Sequence, residues 1–93
     1  MNAPQRVARL DDPELGSWTM QRREDEGWYV TERGLEPGSG WKLLREWPLG
    51  VIRAQTRDEL VEALVERCEA TGEIPREVAI RLAEEVALGL LDS

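Results

Sequence analysis

Among the residues whose types and spacing could do chemistry, the aromatic and basic ones come first. Trp18, Trp28, Trp41 and Trp47 are interleaved with Arg22, Arg23, Arg33, Lys42, Arg45 and Arg53. Aromatic rings beside cations on a sheet can hold single-stranded nucleic acid, because bases stack on the rings and phosphates pair with guanidinium groups. On that reading Arg22, Arg23, Arg33, Trp28 and Trp41 are the contact residues. The competing reading uses the same rings as core. There is no Phe in the chain, and strand alternation directs at least three of the four Trp toward whatever covers the sheet.

The second set is acidic. Asp58, Glu62, Glu66 and Glu69 follow one another at i, i+4, i+8 and i+11, which is one continuous face of a helix. Like charges at i+4 cost a few tenths of a kcal/mol each, so the ridge does not serve helix stability. It either docks on a basic partner, steering the encounter electrostatically, or is a solvated face.

Other routes to chemistry are closed or weak. No His occurs, which removes the commonest general base and the commonest metal ligand together. No spacing of metal-ligating residues stands out, and no cofactor motif is present. Gly38-Ser39-Gly40 is too short for a phosphate-binding loop and has no following Lys. Cys68 is the only cysteine, falls on an apolar helical stripe, and has neither a base nor a helix N-terminus nearby in sequence. The expectation is a protein that is not an enzyme.

These residues require elements to position them. Trp18 and Met20 alternate with Thr19 and Gln21, as in a half-buried strand. Glu24-Asp25-Glu26-Gly27 makes a turn, and Trp28-Tyr29-Val30-Thr31-Glu32-Arg33 returns as a second strand whose Trp28 and Val30 meet the Trp18/Met20 face. Gly34 to Gly40 reads as a loop. Trp41 to Trp47 reads as a third strand, with Trp41, Leu43 and Trp47 on one face and Pro48 ending or bending it. Val51 to Ala54 is either a short fourth strand or the continuation of a bent third one.

Thr56-Arg57-Asp58-Glu59 is a capping box, and Leu60, Leu64 and Cys68, with Val61 and Val65, carry a helix toward Gly72. Pro75 opens a second helix that runs to about Leu91. Its apolar residues, Val78, Ala79, Ile80, Leu82, Ala83, Val86, Ala87, Leu90 and Leu91, cover more than the usual stripe. Either this is the central helix of a small core, or Val78, Ile80, Ala87 and Leu91 form a homodimer interface.

The predicted fold is α+β: a three- or four-stranded antiparallel meander followed by two C-terminal helices packed on one face. Residues 1–14, with Pro4, Pro13 and no periodicity, read as a flexible N-terminal arm, and residues 15–93 as a single domain. With Gly27-Trp28-Tyr29-Val30 and Gln55-Thr56-Arg57-Asp58-Glu59-Leu60, the outline over about residues 17–67 resembles the small arm-binding domains of phage integrases. That resemblance rests on pattern and implies a sheet laid into a DNA groove.

Composition favours a different partner. The chain of 93 residues carries a formal charge of −7. Residues 1–55 hold eight Lys/Arg against nine Asp/Glu, and residues 56–93 hold four against ten. Such a balance repels phosphates at long range. No run approaches the roughly 18 apolar residues of a membrane span, and the start lacks an export signal's apolar stretch. With one cysteine and no disulfide, a cytoplasmic protein is expected. The leading expectation is an acidic protein-interaction module, a regulator, adaptor or inhibitor of another protein, with a basic one suited to the acidic ridge, and itself a homodimer. Nucleic acid is the alternative partner, and no membrane is expected.

Overall fold

A computed structural model describes residues 7–36, 38 and 40–91. Strands β1 (Val7–Asp12), β2 (Gly16–Arg23), β3 (Gly27–Glu36) and β4 (Gly40–Gly50) form one antiparallel sheet in sequence order. Helices α1 (Arg57–Thr71) and α2 (Arg76–Leu91) follow and pack on one of its faces. The architecture is the expected α+β meander with two C-terminal helices.

The segment from Val51 to Ala54, open in the sequence between a short fourth strand and a continued third one, is neither. Residues 51–54 form no strand, and β4 continues through Pro48 to Gly50. Proline is tolerated there because β4 lies at the sheet edge, where a missing N–H breaks no ladder bond. The additional strand is β1, drawn from the segment 1–14 that read as an arm. Ala8 and Leu10 face the core opposite Met20 and Trp18, so residues 7–12 are ordered by burial and pairing. Residues 1–6 of that segment lie outside the described ones.

Local chemistry explains the turns. Gly27 has φ +91° and closes the β2–β3 turn, as its freedom from a Cβ allows. The Thr56 hydroxyl accepts the Glu59 backbone N–H at 3.1 Å, while the Glu59 carboxylate reaches back to the Gln55 N–H at 2.9 Å. Gly72, in the left-handed region, ends α1 by donating its N–H to the Glu69 carbonyl.

The core lies between the sheet and the helices. Trp18, Met20, Trp28, Val30, Trp47 and Leu49 meet Leu60, Leu64, Cys68, Val78, Leu82 and Val86. Full burial of a side chain such as Leu64 or Leu82 stabilises the fold by about 1.5–3 kcal/mol. Trp18 and Trp47 stack at 5.7 Å between ring centroids, and both indole N–H groups are bonded, to the Leu15 carbonyl and the Glu73 carboxylate.

α2 packs against β1 and β2 on one side and α1 on another. This double contact accounts for its broad apolar surface. The residues expected to bind a second copy are therefore corrected in part: Val78 and Ala87 are buried within this chain, Ile80 is half-buried, and the Leu91 side chain lies outside the described set. Among the described residues no helix is long and apolar enough to cross a membrane.

Candidate functional site

One inserted residue decides what the second sheet face displays. β3 and β4 pair Glu32 with Arg45 but Arg33 with Leu43, so Leu44 is an extra residue, a β-bulge. Uninterrupted alternation would put Trp41, Leu43 and Trp47 on the same face. The bulge reverses the parity: Trp47 points into the core, while Trp41 and Leu43 join Leu35 and Arg33 on the face away from the helices. The displaced Leu44 side chain lies against Gly34, where a Cβ would come within 3.1 Å of it.

The face without helices presents Thr19, Gln21 and Arg23 from β2, Tyr29, Thr31 and Arg33 from β3, and Trp41, Leu43 and Glu46 from β4. Much of it forms a shallow depression of about 350 Å³, reached also by Lys42. Thr19 and Thr31, both buried, lie opposite each other with their hydroxyls hydrogen-bonded. Arg23 is held on one side by Glu46, 2.6 Å away, and lies 4.0 Å above the Tyr29 ring. The Glu46 carboxylate keeps the Arg23 guanidinium charged by raising its pKa further. Among the described residues, neither Arg33 nor Lys42 makes an ion pair.

Beyond Arg33 the sheet narrows to a hairpin. β2 pairs with β3 only as far as Ser17, so Gly34–Glu36 and Gly40–Lys42 pair with each other alone. Apolar side chains stay uncovered in this part: Leu35 is 71% exposed, Trp41 55%, Leu43 57% and Leu44 50%. Contiguous exposed apolar groups rimmed by charge mark interaction surfaces.

The structure divides the residues expected to touch nucleic acid. Arg23, Arg33 and Trp41 share the uncovered face, whereas Trp28 is buried beneath the helices and Arg22 sits opposite Trp28 on that inner side of the strand pair. Three of the four Trp are core, as the competing reading required. Leu35 escaped the sequence reading because Gly34 to Gly40 was taken for a loop. The signal available was the alternation Thr31, Arg33, Leu35 continuing past Gly34.

Asp58, Glu62, Glu66 and Glu69 are all exposed on α1. Glu69 pairs with Arg76 at 3.2 Å. Arg67, nearby in sequence, instead donates to the Leu49 carbonyl at 2.7 Å and ties α1 to β4. Asp58 and Glu62 also line a groove of about 310 Å³ with Arg57, Val61, Glu84 and Leu88, between α1 and α2. Cys68 is buried; burial, with a smaller contribution from Glu69, pushes its thiol up to about 12.

No protein family, no curated protein and no solved structure compared with this chain matches it.

Proposed function

We propose that this chain is a non-enzymatic interaction module, an acidic regulator, adaptor or inhibitor that docks another protein through its β3–β4 hairpin. The observation carrying this reading is the exposure of Leu35, Trp41 and Leu43 together on one face at the end of the sheet. Trp and Arg dominate the energetics of protein contacts, and Trp41 with Arg33 supplies both beside apolar neighbours. The Asp58/Glu62/Glu66/Glu69 ridge is a separate exposed surface, suited to steering toward a basic partner rather than to anchoring it.

Capture from native host lysate with a tagged chain, with and without nuclease, tests this reading. The expected result is a stoichiometric protein that survives nuclease and is lost from Trp41→Ala. A protein captured equally by Trp41→Ala would overturn the hairpin as the docking surface.

A second reading has its own observation: Arg23, Arg33, Lys42 and Trp41 line one depression on the face away from the acidic helices. A single-stranded nucleic acid stacking there quenches Trp41 emission, with affinity falling steeply as salt rises. Quenching that survives in Trp41→Phe would remove this reading.

A further inference from the structure

We infer that the hairpin docks on a second copy of this chain, in the groove between α1 and α2, so that copies associate head to tail. This rests on the hairpin being a protein-docking surface and names an occupant for it. The groove has an apolar floor, Val61 and the 59% exposed Leu88, between the carboxylates of Asp58, Glu62 and Glu84, with Arg57 as the one lining cation. The hairpin carries the opposite charge around a matching apolar centre: Leu35, Trp41 and Leu43, flanked by Arg33 and Lys42. At about 310 Å³ the groove is at the small end of cavities that enclose a ligand, a size suited to one large side chain and its neighbours.

Other ways of joining two copies are opposed by the same residues. Hairpin against hairpin sets Arg33 and Lys42 against their own copies, and groove against groove sets three carboxylates against three. Pairing along the outer edge of β4 is obstructed by Pro48, by the two register shifts and by the charged Lys42 and Arg45, the devices that keep sheet edges apart. Hairpin and groove share no residue, so a docked copy keeps its own groove open. Such a heterologous contact gives a closed ring or an open chain according to the rotation it imposes. The net charge of −7 opposes approach at long range, which makes the contact short-ranged and visible only at high protein concentration.

The experiment uses the full chain and two exposed-surface variants. Trp41→Ser/Leu43→Ser removes the hairpin's apolar centre, and Leu88→Arg fills the groove with a cation; circular dichroism checks that both fold. By sedimentation equilibrium, the unaltered chain should gain mass with concentration, and Trp41 emission should shift to the blue in step. Each variant alone should remain a monomer. An equimolar mixture should form a one-to-one dimer and nothing larger, with the blue shift arising from Trp41 of the Leu88→Arg copy. A monomeric unaltered chain, association retained by either variant alone, or a mixture without the dimer overturns the inference. If the chain stays monomeric while Trp41→Ala still abolishes capture of another protein, self-association fails and the docking function stands. If Trp41→Ala changes neither, both fail.

Discussion

Gly27→Ala should be far more damaging than Gly72→Ala, although both glycines have positive φ. The left-handed region costs a residue with a Cβ about 1–2 kcal/mol, and that applies at φ +91° for Gly27 and +72° for Gly72. At Gly72 nothing lies within 4 Å of an added Cβ, so the backbone term is the whole effect. At Gly27 the same Cβ would stand 2.3 Å from the Gly50 carbonyl carbon and oxygen and 2.6 Å from the Val51 nitrogen. Those are backbone atoms and cannot rotate away. Relief requires parting β3 from β4 at the Trp28–Gly50 pairing, beside the register shift that admits the buried Leu49. Losing one or two ladder hydrogen bonds at about 0.5–1.5 kcal/mol each, besides the backbone term, brings Gly27→Ala to about 1.5–5 kcal/mol. Gly72→Ala stays at about 1–2 kcal/mol, and the gap of roughly 0.5–3 kcal/mol corresponds to a melting difference of roughly 2–24 °C in a domain of this size. Urea unfolding followed by Trp emission measures both, since Trp18, Trp28 and Trp47 report on the core. Midpoints for the two variants within about 0.5 kcal/mol of one another would refute the close approach of the two strands.

Further outcomes follow from single side chains. Cys68, its thiol pushed up to about 12, should resist thiol reagents at neutral pH; labelling should proceed only as fast as the chain opens. Fast labelling of folded protein would contradict its burial. Asp12 accepts the Glu14 and Leu15 backbone N–H groups at 2.8 and 3.0 Å and faces Arg81, which together lower its pKa. A carboxylate depressed in the folded state contributes stability above its unfolded pKa, about 4, and loses it as pH falls through the folded value. Asp12→Asn should therefore flatten the acid limb of stability against pH, and an NMR titration should place Asp12 below the ordinary aspartate range. Trp41→Phe should abolish the quencher-accessible part of the emission while leaving the urea midpoint unchanged, because Trp41 alone among the four Trp lies outside the core.

What the sequence discloses depends on how local the deciding interaction is. The Thr56/Glu59 cap, the αL end at Gly72 and the turn at Gly27 are each settled within a few residues, and each is legible before any fold is known. β1 is not, because Val7 to Asp12 is a strand only by virtue of Ser17–Gln21 beside it and the helix beneath Ala8 and Leu10. The breadth of the apolar surface on α2 is plain in the sequence, but its use is not. A helix covered by β1, β2 and α1 at once has the same pattern as one awaiting a partner.

The consequential case is Leu44. Nothing in Trp41-Lys42-Leu43-Leu44-Arg45-Glu46-Trp47 announces an extra residue, since a bulge is defined by the partner strand and not by its own. Strict alternation along this strand puts Trp41 on the same face as Trp47, the side that carries the helices. With Leu44 inserted, Trp41 and Leu43 emerge beside Leu35 and Arg33. Deleting Leu44 should thus close the bulge and leave Trp41 and Leu43 opposite Leu35 and Arg33, with Trp41 still open to quencher, whereas inserting a residue between Glu32 and Arg33, which gives Leu44 a partner, should turn all four toward the helix side and remove docking at the hairpin. What this face displays is set by register, through a residue whose own side chain lies against Gly34.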